Sequence, residues 1–142
     1  MSINARFKCS QMTKKHSPKT PQNKRQIAES VGRKAEHYAA LYLRLKGYKI
    51  LRQRFKTRHG EIDIIAQKGG ILVFTEVKKR PTLSLAQDSL TPRTKSRIVK
   101  ASEIFISRHR FAQKLAHRYD AVFITGRFWG KPTHYIDLWR PH

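Results

Sequence analysis

The apolar positions of this chain change period several times, and each change marks an element. From about Gln26 to Lys46, residues Ile27, Val31, Ala35, Tyr38, Ala39, Tyr42 and Leu45 recur every three or four positions, as on one face of an amphipathic helix. Gly47 stops that helix, because a residue free to take positive φ closes the last turn. Tyr48 to Lys56 reads as a strand, with Ile50, Leu51 and Phe55 apolar and Arg52, Arg54 and Lys56 basic. Two more strands, Gly60–Ala66 and Ile71–Lys78, flank Gln67-Lys68-Gly69-Gly70, whose glycines suit a tight hairpin. If only the glycines turn, Lys68 faces Ile71 and Asp63 faces Glu76. If all four residues turn, Ala66 faces Ile71 and Asp63 lies diagonal to Glu76.

Pro81 ends the second arm, and residues 81–90 read as a loop. Thr91-Pro92 then starts a helix, with Thr as N-cap and Pro at the first helical position, running through Ile98, Ala101, Phe105 and Ile106 to about Arg108. Residues 111–117 allow a short helical turn, and Tyr119–Thr125 and Thr133–Trp139 read as two further strands. The order is αβββαβ with an extra terminal strand, an α/β fold whose mixed central sheet is flanked by helices. Residues 26–142 form a single domain. Residues 1–25 carry Arg6, Lys8, Lys14, Lys15, Lys19, Lys24 and Arg25 with no acid, plus Pro18 and Pro21, and read as a disordered basic tail.

Either register of the hairpin puts Glu61, Asp63, Glu76 and Lys78 on one sheet face, because strand side chains alternate with a period of two. Two carboxylates about 5 Å apart at an effective dielectric near 20 repel by roughly 3 kcal/mol, a large fraction of a domain's net stability. A hard divalent cation, Mg²⁺ or Mn²⁺, relieves that repulsion, taking carboxylate oxygens and keeping waters elsewhere. The plain alternative is that these acids pair with the chain's many Lys and Arg on a solvated face. The spacing Glu76-Val77-Lys78 favours the metal, since it holds a cation beside the acids.

Charge changes the picture next. The 142 residues carry 31 Lys+Arg against 9 Asp+Glu, a formal charge of +22. Such an excess implies a polyanionic partner, because neutralising phosphates releases counterions. Nucleic acid is the expected partner, DNA ahead of RNA, and a second copy of the chain is a further candidate. No apolar run approaches the ~20 residues that span a bilayer, so no membrane is expected. The single Cys9 excludes an internal disulfide framework and fits a cytoplasmic setting. Arg58 in the turn before Glu61, Arg80 after the central strand, and Arg93, Lys95 and Arg97 at the start of the second helix are the candidate phosphate contacts, each with a solvated cationic face as its alternative. Trp129 between Arg127 and Lys131 is a candidate for stacking on an unpaired base. Asp120 is expected to be structural, holding Arg118 or a backbone turn.

Taken together, Asp63, a hairpin and Glu76-x-Lys78 resemble the PD-(D/E)xK nuclease core. The wider string resembles the YraN-like family of predicted endonucleases, relatives of archaeal Holliday junction resolvases. The residues that carry it are Gly32-x-x-x-Glu36, Lys46-Gly47-Tyr48-x-Ile50-Leu51, Arg58-His59-Gly60-Glu61-Ile62-Asp63-Ile64-Ile65-Ala66, Val73-Phe74-x-Glu76-Val77-Lys78-x-Arg80, Thr91-Pro92-x-x-Lys95 and Arg118-Tyr119-Asp120-Ala121-Val122. The resemblance covers about residues 30–125. It implies a restriction-endonuclease-like core and metal-dependent hydrolysis of nucleic acid, with structured or branched DNA as substrate. It also implies a catalytic set Asp63, Glu76 and Lys78, a metal held by Asp63, Glu76, the Val77 carbonyl and Glu36, and Lys95 near the site. The rival expectation is a non-catalytic nucleic-acid-binding protein on the same scaffold.

Overall fold

The computed structural model describes residues 20–126 and 130–141. Its elements are α1 (Pro21–Leu45), β1 (Lys49–Lys56), β2 (Glu61–Lys68), β3 (Ile71–Arg80), a short α2 (Leu83–Asp88), α3 (Pro92–Arg108), β4 (Ala116–Thr125) and β5 (Thr133–Trp139), with a 3₁₀ turn at Ala112–Lys114. The strands lie in the order β1-β2-β3-β4-β5. All neighbours are antiparallel except β3 and β4, which run parallel and are joined by the crossover through α2 and α3. The result is a five-stranded mixed sheet flanked by helices.

Apolar residues fill two layers. On one face α1 sets Ala35, Ala39, Ala40 and Leu43 against Ile64, Ala66, Val73, Val77, Val122 and Ile124. On the other, α3 sets Ile98, Ala101 and Phe105 against Ile62, Ile65, Leu72, Phe74, Ala121 and Phe123. The α1 contact corrects the expected stripe: small alanines let the helix lie close to the sheet, whereas Ile27, Val31 and Leu45 are exposed. The helix also begins at Pro21, so residues 21–25 are helical rather than part of a tail; residues 1–19 lie outside the described residues. It ends as expected. Tyr48 N–H donates to the Leu43 carbonyl and Gly47 N–H to that of Arg44, with Gly47 at φ 88°, a Schellman closure.

The hairpin takes the shorter of the two loops. Lys68 pairs with Ile71 and Gly69 turns at φ 57°, a value that glycine adopts without strain. Residues 81–90, expected as a loop, contain α2, whose N-cap Thr82 accepts the Leu85 N–H. Thr91 caps α3 in the same way through the Thr94 N–H, with Pro92 opening the helix as expected.

Candidate functional site

The β2–β3 ladder runs from Lys68↔Ile71 to Ile64↔Thr75 and stops there. The next position would set Asp63 opposite Glu76. Instead, the Val77 N–H donates to Asp63 Oδ2 at 2.8 Å, so a side chain replaces a ladder hydrogen bond. At the same point the side-chain alternation slips by one residue: Ile62 packs in the α3 layer and Ile64 in the α1 layer, although strict alternation would put both on one face. On β1, Arg54 lies opposite Asp63, between the pairs Gln53↔Ile64 and Phe55↔Ile62, and has φ 53°. Glu76 and Lys78 alternate with Leu72 and Phe74 toward the α3 layer, as Asp63 does with Ile65. The expectation that Glu61 shares this face is corrected: Ile62 lies in the α3 layer, so alternation turns Glu61 the other way, where it meets Arg54.

Carboxylates from separate elements gather here. Glu36 comes from the middle of α1, Glu61 and Asp63 from the start of β2, and Glu76 from β3, where it is only 6% exposed. Burial pushes the Asp63 carboxyl well above the usual carboxylate range; the Glu76 and Glu36 charges add to this, and the Val77 N–H and Lys78 oppose it. Burial likewise raises Glu36, with Arg54 opposing and Glu61 and Glu76 reinforcing. Lys78 Nζ lies 2.7 Å from Glu76 Oε1. Arg54 Nε donates to Glu61 Oε1 at 2.8 Å and sits 3.6 Å from Glu36 Oε2, while Lys56 reaches Glu61 at 4.0 Å.

The donor set fits a hard cation. It consists of oxygens, and Glu36 Oε2 is buried without a hydrogen-bond partner. Asp63 and Glu36 are raised by burial and by neighbouring acids, which a divalent charge would reverse. Among the described residues no three His, Cys, Asp or Glu side chains already stand close enough together to hold a metal ion. Mg²⁺ commonly takes one or two carboxylates and fills its other positions with water and substrate phosphate.

The basic residues fall into two groups. Arg97 Nε donates to the His59 carbonyl and Arg58 Nε to His59 Nε2, so both flank the β1–β2 loop that leads into Glu61. Gly60 is what lets α3 approach that loop: a Cβ there would sit 3.0 Å from Arg97 Cβ and 3.1 Å from its carbonyl oxygen. Arg80, at the end of β3, and Arg93, in the first turn of α3, are exposed. Lys95 points elsewhere, its Nζ 5.9 Å from the centre of the Trp139 ring. Arg127 and Trp129 lie outside the described residues.

Asp120 is structural, as expected. Fully buried, it accepts two bonds from Arg118, the Asp137 N–H and a contact from His134. Burial alone would raise its carboxyl, but these partners hold it below the usual value. What the sequence reading missed is Arg54, whose place among the acids depends on a backbone conformation that arginine gives no reason to expect.

No helix among the described residues is long and apolar enough to cross a membrane. Residues 35–124, which include Glu36, Asp63, Glu76, Lys78 and Asp120, match the model of a family described as "Uncharacterised protein family UPF0102". A UPF0102 protein of Agrobacterium fabrum is 44% identical over 115 residues, covering 81% of this chain and 93% of the relative. One of Paramagnetospirillum magneticum is 40% identical over 124 residues, covering 84% of this chain and 95% of the relative. One of Rhizobium johnstonii is 45% identical over 107 residues, covering 75% and 85%.

Proposed function

We propose that this chain, which belongs to the uncharacterised protein family UPF0102, is a metal-dependent endonuclease hydrolysing phosphodiester bonds of nucleic acid, with structured or branched DNA favoured by its resemblance to junction resolvases. Reading the mixed sheet as a restriction-endonuclease-like αβββαβ core is part of the proposal. The observation that carries it is that Glu36, Asp63 and Glu76, from three elements, lie within reach of one another's charge, with Lys78 paired to Glu76, in a chain with only 9 acidic residues. Burial and mutual repulsion make this arrangement costly, and a fold that needed only a sheet would have no use for it.

Asp63, Glu76, the Val77 carbonyl and Glu36 would hold one or two Mg²⁺ or Mn²⁺ ions, which when bound polarise the phosphoryl oxygen and acidify an attacking water. The Val77 N–H fixes the Asp63 carboxylate, so that ligand needs no reordering before use. Lys78, held 2.7 Å from Glu76, places a positive charge where negative charge develops on the phosphoryl group and orients the attacking water. Arg58 and Arg97 beside the loop, with Arg80 and Arg93, bind backbone phosphates without reading bases, whereas Lys95, turned toward Trp139, takes no part.

A cleavage assay on branched, nicked, single-stranded and duplex substrates with Mg²⁺, Mn²⁺ or EDTA tests this reading. Metal-dependent cutting by wild type is expected, lost in Asp63→Asn and Lys78→Ala while nucleic-acid affinity is retained. Binding without cleavage of any substrate with either metal would favour the second reading, a nucleic-acid-binding scaffold, in which the Glu76–Lys78 and Glu61–Arg54 pairs are simply structural.

A further inference from the structure

We propose that Arg54 is a resident counter-ion of the acid cluster, one that a divalent cation must displace from Glu36. The inference rests on the metal-site reading above and adds to it a residue that sets how tightly the metal is held.

Three observations carry it. Arg54 stands in the middle of β1 at φ 53°, a left-handed conformation that Gly and Asn tolerate far better than an arginine. A strand that needed only to pair would have no reason to place arginine there. Its guanidinium lies between α1 and β2, donating to Glu61 Oε1 at 2.8 Å and lying 3.6 Å from Glu36 Oε2. The two contacts are unequal: the first is a hydrogen bond and the second is too long to be one. Glu36 Oε2 is consequently neutralised through space, yet buried with no hydrogen-bond partner of its own. Glu61 keeps Arg54 in place when Glu36 turns away, and Glu36 has a free lone pair to offer. Arg54 therefore stabilises the acids while the metal is absent and competes with it for Glu36 when it arrives.

Calorimetric titration of Mn²⁺ into the full chain, at fixed ionic strength and without nucleic acid, tests this on wild type, Arg54→Asn, Glu36→Gln and the double variant. Asn accepts the local φ, and Arg54→Gly serves as an independent second variant should Asn disturb folding. Arg54→Asn is expected to bind Mn²⁺ up to about fivefold more tightly, the scale of a lost, partly exposed ion pair. The gain should vanish when Glu36 is already Gln, because the cycle isolates the coupling between the two residues. An unchanged or weaker affinity in Arg54→Asn would overturn the inference. So would an undiminished gain in the Glu36→Gln background, which would make Arg54 a distant charge and no competitor. If wild type binds Mn²⁺ and Arg54→Asn binds no more tightly, only the role of Arg54 fails. If neither binds Mn²⁺, the metal-site reading fails and this inference with it.

Discussion

Asp63 Oδ2 accepts the backbone N–H of Val77 at 2.8 Å, so a half-buried carboxylate stands where the β2–β3 ladder would otherwise continue. One side chain thus does two things that conflict in the metal-free protein. It satisfies a strand N–H, and it brings a negative charge up to Glu76 and Glu36.

The conflict gives a pH dependence. The Asp63 and Glu36 carboxyls are both raised in the folded chain, so the native state holds more protons than the unfolded state once pH passes the ordinary carboxylate values of 3.8 and 4.5. Their contribution to stability is full below those values and is lost as pH rises through the folded ones. Asp63→Asn keeps an oxygen for Val77 N–H and removes the charge. In EDTA it should melt above wild type at neutral pH, and the difference should shrink as pH is lowered toward 4. Asp63→Ala leaves that N–H without a partner and should be less stable than Asp63→Asn by about 1–3 kcal/mol, read from denaturant midpoints.

Gly60 joins the site loop to α3. Gly60→Ala brings a methyl group to 3.0 Å from Arg97 Cβ and 3.1 Å from its backbone oxygen, which a helix in place cannot easily yield. A loss of about 1–3 kcal/mol is expected, the usual cost of overpacking, visible as a lower thermal midpoint. Nucleic-acid affinity should fall as well, since Arg58 and Arg97 are positioned by the same loop.

Asp120 separates structural acids from site acids. Removing it by Asp120→Ala leaves Arg118 and His134 facing an empty place in the sheet, a loss of about 3–5 kcal/mol by analogy with broken buried pairs. Its thermal midpoint should drop sharply, yet whatever protein remains folded should keep the full response to Mn²⁺. A lost metal response in folded Asp120→Ala would tie this network to the site.

Much of the fold was legible because local signals and hydrophobic period agree. Thr91-Pro92 marked the start of α3, Gly47 the end of α1, and the apolar arms about Gly69-Gly70 the hairpin. Thr20-Pro21 repeats the Thr-Pro pair of α3 at the start of α1, but Thr20 makes no side-chain cap and the apolar period begins only at Ile27, so the first turn shows no period to read. Thr82 capped α2 unnoticed because six residues are too few to show a period. The slip at Asp63 could not be read, since Ile62 and Ile64 are both apolar and buried and a run of that kind carries no information about phase. Glu61, Asp63 and Glu76 are legible from their types and spacing and Glu36 only through the family resemblance, whereas Arg54 beside them sits on a left-handed backbone that no local residue preference announces.

The central claim is that Glu36, Asp63 and Glu76 form a divalent-cation site, and a thermal melt of wild type, Asp63→Asn and Glu76→Gln in EDTA and in excess Mn²⁺, at fixed ionic strength, tests it most directly. A cation that binds only the folded chain stabilises it by RT ln(1 + [L]/Kd), about 2.7 kcal/mol at a hundredfold excess over Kd. Wild type should therefore gain several degrees in Mn²⁺, and both variants, each lacking one ligand charge, should gain little. A wild type indifferent to Mn²⁺, with Glu76→Gln less stable than wild type in EDTA because its pair with Lys78 is lost, would contradict the account and make these acids structural.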